Sequence, residues 1–163
     1  MNMDKQFQQW TIAHQEQSWS MARFLLKDEA EAEDVVQDAF IRLWQHRDTL
    51  SEARVKPWLL RVTRNLCLDR LRLERPRADS GPDELAGGEE PLASMQRSRE
   101  GQVLQAAVMG LDEPYRSLVI MRDVQQHSYE DVAATLELSL PQVKTYLHRA
   151  RKTLREQLTE LRP

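Results

Sequence analysis

Cysteine is nearly absent: Cys67 stands alone, so no internal disulfide can form and a reduced, cytoplasmic setting is expected. The four histidines are scattered, without metal-ligand spacing, and neither a metal nor a cofactor is expected. No run approaches the ~20 apolar residues of a membrane span. The polar, glutamine-rich start lacks the apolar core of a signal peptide. Glycine is scarce, and three of the five glycines fall together at Gly81, Gly87 and Gly88. Gly87-Gly88 follows no strand pattern and precedes no Gly-Lys-Ser/Thr, which excludes a phosphate-binding loop. No cluster of nucleophile, base and orienting group is evident, so an enzyme is the least favoured class. Strand patterns and internal repeats are also missing.

What the chain does have is charge in blocks. Its net charge of −3 conceals two compact basic segments in an acidic protein. Residues 1–53 carry 5 basic and 10 acidic side chains, residues 54–77 carry 8 and 2, residues 78–140 carry 4 and 12, and residues 141–163 carry 6 and 2. A protein that held nucleic acid by bulk charge would be basic throughout; here attraction is confined to two places.

Helical periodicity runs through most of the chain. Residues 4–26 place Phe7, Trp10, His14, Met21 and Phe24 or Leu25 near one face, a packing helix in which His14 reads as a core residue. Residues 28–47 form the cleanest helix. Asp28 and Glu31 give a cap signal, and Ala32, Val35, Val36, Ala39, Phe40, Leu43 and Trp44 make the buried stripe. Opposite lie Asp34, Gln37, Asp38, Ile41 and Gln45, an acidic face with an isoleucine at its centre. Such a face suits a basic partner with an apolar middle, although a single exposed isoleucine is also unremarkable.

A third helix is expected from Pro57 to about residue 74, with Leu59, Val62, Leu66 and Leu73 packing and Arg61, Arg64, Arg72 and Arg75 facing out. Arg54 and Lys56 are assigned to the loop before it. Trp58 at this junction either packs in the core or supports unpaired bases by stacking between cations. Residues 76–97, with Pro76, Pro82 and Pro91 among acids and glycines, read as a flexible acidic tether. Beyond it, a helix from Ser98 turns Val103, Leu104, Ala107, Val108 and Leu111 inward. Asp112 is expected to cap a helix through residue 123, with Leu118, Val119 and Val124 inside.

The last stretch is a helix-turn-helix. Ser128 caps a short helix bearing Tyr129, Val132, Ala133 and Leu136. Ser139, Pro141 and Gln142 start another whose buried stripe is Val143, Leu147, Ala150, Leu154, Leu158 and Leu161. Its outer face holds Gln142, Lys144, Thr145, His148, Arg149, Arg151, Lys152 and Arg155, a mixture able to neutralise phosphates and meet base edges in a major groove. The plain alternative is a solvated helix whose cations complement its dipole; the capped helix before it favours the DNA reading.

Taken together, Ala32-Glu33-Asp34-Val35-Val36-Gln37-Asp38-Ala39-Phe40-Ile41-Arg42-Leu43-Trp44, then residues 57–69, 111–116, 128–133 and 143–151, resemble the bacterial sigma factors of the extracytoplasmic-function class. The resemblance implies an all-α fold of two small domains, residues 1–75 and 98–163, joined by the linker 76–97. It implies a cytoplasmic monomer that docks Asp34, Gln37, Asp38 and Ile41 on the clamp helices of core RNA polymerase. Arg54, Lys56, Trp58, Arg61, Arg64 and Arg72 would hold the melted downstream promoter element. Gln142, Lys144, Thr145, His148 and Arg149 would read the upstream element, with Arg151 and Lys152 on phosphates. Control is expected from an anti-sigma factor or from synthesis. Where the family usually has a turn glycine this chain has Glu137, so a local difference is expected there.

Two rival readings remain. A polymerase-independent regulator, dimeric on a palindrome, accounts for residues 112–158 but leaves the acidic face idle. A helical interaction adaptor uses residues 33–44 and treats the basic helices as merely solvated.

Overall fold

The computed structural model describes residues 3–74 and 98–160, and the regular elements within them are all helices. The chain divides into two compact units, Met1–Gly81 and Pro82–Pro163. The tether expected at 76–97, together with Arg75 and Leu161, lies outside the described residues.

The first unit is three long helices, α1 (Met3–Leu25), α2 (Glu29–Gln45) and α3 (Glu52–Glu74), each packed on the other two. The Asp28 side chain accepts the Ala30 and Glu31 backbone N–H groups at 2.8 and 3.4 Å, satisfying donors that a helix start leaves free. Ala32, Val35, Ala39 and Leu43 are buried along one stripe of α2; burying a side chain the size of Val35 or Leu43 stabilises by about 1.5–3 kcal/mol. Trp10, Ala39, Leu43, Val55 and Leu59 form a core cluster against which Phe7, Phe40, Leu50, Trp58, Val62 and Leu66 pack.

Three expectations need correction here. Helix α3 begins at Glu52 rather than Pro57, so Arg54 and Lys56 lie on its first turns and not in a loop. Pro57 sits inside α3, near its start, and forgoes the intrahelical bond to Ala53 O that its missing N–H would have made. Leu73, expected inside, is 82% exposed, whereas Thr63 and Cys67 are wholly buried. Trp44 is also drawn to the rim: its ring stands edge-on to Phe7 at 5.1 Å and beneath the Arg47 guanidinium at 3.6 Å.

The second unit runs α4 (Arg99–Met109), α5 (Tyr115–Val119), a π-helical turn (Ile120–Val124), α6 (Tyr129–Leu136) and α7 (Leu140–Glu160). Ser98 caps α4 by accepting Gly101 N–H at 2.9 Å. Its inner face holds Gly101, Gln105, Ala107 and Val108, while Val103 turns outward at 36% exposure. The expected helix over 112–123 is really α5 and the π turn. Its start is held by Glu113 and not by an Asp112 side-chain cap: Glu113 Oε1 accepts Ser117 N–H at 3.3 Å and the Ser117 hydroxyl. In the π turn Gln125 N–H reaches Ile120 O at 2.9 Å, a five-residue span.

Ser128 and Ser139 cap as expected. Asp131 N–H donates to Ser128 Oγ at 3.1 Å. Ser139 and Gln142 form a complete capping box, Gln142 N–H to Ser139 Oγ at 3.2 Å and Ser139 N–H to Gln142 Oε1 at 2.9 Å. Between α6 and α7, Glu137 takes the left-handed conformation at φ 58°, ψ 46°. Leu138 N–H closes the turn on Ala133 O at 3.0 Å. The glycine-like turn is therefore kept by a residue with a Cβ. Gln126, before α6, also has positive φ, 62°.

Candidate nucleic-acid interface

Helix α7 sets out the basic face. Val143, Leu147, Ala150 and Leu154 are buried against α4, α5 and α6, which leaves Gln142, Lys144, Thr145, His148, Arg149, Lys152 and Arg155 exposed. Gln142 gives its carbonyl oxygen to the capping box. Arg151 is not an open cation: Nε and Nη2 donate to Asp123 Oδ2 and Oδ1 at 3.1 and 2.6 Å. The hydrogen bond to Asp123 raises the Arg151 pKa further above its ordinary value, opposed by burial and assisted by the Asp123 charge.

Two aromatic residues flank this face, and neither was singled out for a functional role in the sequence. Tyr129, at the start of α6, has the Arg122 guanidinium 4.4 Å and the Lys144 ammonium 5.9 Å from its ring centre. Tyr146 packs edge-on to Tyr115 at 5.6 Å, with Arg149 5.7 Å from its ring. The i, i+3 spacing of Tyr146 and Arg149 was a sequence signal for the latter contact. Leu111, Asp112, Tyr115, Arg149, Ala150 and Thr153 line an open cavity of about 320 Å³ beside it.

In the first unit, α2 presents Asp34, Gln37 and Ile41 to solvent, and Ile41 is 57% exposed. Asp38 pairs with Arg42 at 3.3 Å, and Gln37 donates to Glu33 at 3.4 Å. Asp34 lies 4.0 Å from Arg70 on α3, a basic residue outside the expected set. Along α3, Arg54 and Arg72 are exposed, while Lys56, Trp58, Arg61 and Arg64 are half-buried. Arg72 is paired with Asp69, and Arg64 donates to Asn65 Oδ1 at 3.2 Å. Trp58 lies inside α3 rather than at a loop-to-helix junction and packs on the core cluster, with its ring 5.2 Å from that of His46. The acidic α2 face and the α3 cations belong to one unit, and the α7 face to the other.

His14 lies half-buried on α1, its pKa lowered by desolvation and by the nearby Lys56 charge, with Glu52 opposing. Burial pushes the Cys67 thiol up to about 12 against the weaker pull of Arg70. Among the described residues no group of acids, histidines and cysteine could hold a metal ion, and no helix is long and apolar enough to cross a membrane.

Among the described residues these features define an all-helical fold in two units, the second containing a helix-turn-helix with a basic outer face. Residues 12–77 match the Sigma-70 region 2 family and residues 101–154 the Sigma-70, region 4 family. The ECF RNA polymerase sigma factor SigE of Mycolicibacterium smegmatis is 32% identical over 152 residues, covering 90% of this chain and 59% of SigE. SigW of Bacillus subtilis, also an ECF RNA polymerase sigma factor, is 31% identical over 146 residues, covering 80% of this chain and 77% of SigW. This chain thus spans less than two thirds of SigE and over three quarters of SigW. The sigma factor RpoE of Bartonella quintana, solved with the anti-sigma factor NepR, superimposes with a TM-score of 0.70 at 27% identity, covering 95% of this chain and 98% of RpoE. The chain belongs to the ECF class of RNA polymerase sigma factors, the proteins of promoter-specific transcription initiation.

Proposed function

We propose that this sigma factor docks on the clamp helices of core RNA polymerase through Asp34, Gln37, Asp38 and Ile41, and reads two promoter elements. Residues 1–75 form the docking and downstream-reading domain, in which Arg54, Lys56, Trp58, Arg61, Arg64 and Arg72 hold the opened strand. Residues 98–163 form the upstream-reading domain, in which Gln142, Lys144, Thr145, His148 and Arg149 meet the bases and Lys152 a phosphate. The observation that carries this reading is the exposed polar and basic face of α7 on a helix-turn-helix whose two helices are both capped at their N-termini, in a chain of this family.

The protein is not an enzyme on this reading; it supplies binding energy in the cytoplasm, as a monomer and without a cofactor. Unstacking DNA costs on the order of a few kcal/mol per step, more than a handful of half-buried cations offsets alone. Opening therefore requires the polymerase, which also fixes the spacing of two weak readers and raises their effective concentration. The likeness to RpoE, solved with NepR, supports an anti-sigma factor as the controlling partner.

The test is transcription by purified bacterial core polymerase on genomic fragments, with and without this protein. New start sites sharing two spaced upstream elements are expected. Tight polymerase binding without new starts would favour the adaptor reading, and palindromic binding without polymerase would favour an independent regulator.

A further inference from the structure

We infer that Arg151 is a positioning residue: its two-pronged pair with Asp123 sets the roll of α7 about its own axis, making Asp123 a determinant of promoter selectivity without contact to DNA. The inference rests on the reading of α7 as the upstream-element helix. At 3.6 residues per turn Arg151 lies about 70° to one side of the buried stripe and Tyr146 about 70° to the other. Each flank has its own anchor. Arg151 uses Nε and Nη2 on Asp123, 28 residues away in the chain, and Tyr146 abuts Tyr115 at 5.6 Å. The Leu147 and Ala150 stripe alone would let the helix rock, because apolar contacts are not directional; the planar fork of a guanidinium on a carboxylate is.

The pairing also changes the charge count on the DNA side. With Asp123 beside it, Arg151 has its attraction for a phosphate largely cancelled and contributes little to counterion release. This departs from the phosphate role that the sequence pattern suggests. Exposed ion pairs are usually worth little, but the function here is orientation, for which geometry matters more than depth. The side chains of Arg151 and Asp123 are 40% and 36% exposed, open enough for substitution without disrupting the core.

The experiment uses the full-length chain and the upstream segment of a promoter mapped with core polymerase. Affinity is measured by fluorescence anisotropy across a salt series, for that duplex and for one with the upstream element scrambled. Arg151→Lys keeps the charge and loses the fork; its preference for the true element is expected to fall about threefold to fivefold, with the salt slope unchanged. Asp123→Asn is expected to lose preference similarly while its slope steepens by up to ~0.9, as the released arginine joins the phosphates. Exchanging the pair, Asp123→Arg with Arg151→Asp, is expected to restore preference, which a merely misfolded variant cannot do.

The inference is overturned if Arg151→Lys behaves as wild type while Arg151→Ala lowers the slope by about one with preference intact, the signature of a phosphate contact. Lys144→Ala combined with Lys152→Ala serves as the reference. If it changes neither slope nor affinity, the recognition-helix reading fails, and the inference with it.

Discussion

The hydroxyls of Ser18 and Thr63 lie 2.7 Å apart in the sealed interior of the first unit, both with no exposed surface, and tie α1 to α3. Thr63 spends its hydrogen on Leu59 O at 2.8 Å, so Ser18 is the donor between the two. Thr63→Val leaves the buried Ser18 hydroxyl without its acceptor and is expected to cost about 1–3 kcal/mol. Adding Ser18→Ala is expected to recover part of that loss. Urea unfolding of the single and double variants checks both statements, and a double variant as costly as the sum of the singles would show that the hydroxyls do not act as a pair.

The two units are expected to separate by function. Ile41→Ala and Asp38→Arg should each weaken core polymerase binding by about tenfold or more, as removal of an interface anchor does, without altering the DNA selectivity of the second unit. Arg149→Ala should reduce use of the upstream element, by about 1–3 kcal/mol if the contact is a two-pronged one to a base, with polymerase binding unchanged. Polymerase pull-down and transcription from promoters with an altered upstream element distinguish the outcomes. Equal loss of both activities in every variant would contradict this division.

Glu137→Gly is expected to stabilise the second unit. A side chain in the left-handed region costs roughly 1–2 kcal/mol, and glycine returns about 0.5–1 kcal/mol of that through its looser unfolded state. A net gain of about 0.5–1 kcal/mol should appear as a higher melting temperature. Glu137→Val, branched at Cβ, should lower it.

Acid should loosen the first unit through His14. The native fold holds this imidazole below its ordinary value of 6.5, by burial first and by Lys56 second, so the unfolded chain binds the proton more readily. The contribution is fully present above pH 6.5 and is lost as pH falls from there towards the lowered native pKa. Urea midpoints from pH 7.5 down to pH 5 should therefore drop, and His14→Gln should flatten the part of the curve that begins near pH 6.5. Lys56→Gln, which removes the second cause, should raise the His14 pKa in an NMR titration.

What was legible in the sequence was what depends on near neighbours. The caps at Asp28, Ser98, Ser128 and Ser139 could be read because donor and acceptor lie two or three residues apart, and the α7 stripe because every turn repeats it. Pro57 misled, since proline often marks a helix start and here sits one turn inside. Leu73 looked internal by periodicity, but the position lies near the end of α3 and is exposed. The burial of Thr63 had no apolar signal to announce it: its hydroxyl is satisfied by Leu59 O one turn back and by Ser18, 45 residues away. The basic face of α7 was visible in outline. The Asp123–Arg151 pair was not, because it joins positions 28 residues apart that only the packed fold brings together.

The π-helical turn at Ile120–Val124 acts as a gear tooth between the supporting layer and the helix-turn-helix. A turn of this kind holds roughly one residue more than an α-helical one, and it aims two successive side chains at the helix-turn-helix: Arg122 at the Tyr129 ring and Asp123 at Arg151. Removing one residue there would tighten the turn and swing whatever follows by about 100°, uncoupling both contacts at once. A surface loop can gain or lose a residue at little cost, but a residue lost from this turn would break both contacts. Its residue count keeps the helix-turn-helix in phase with the body that carries it.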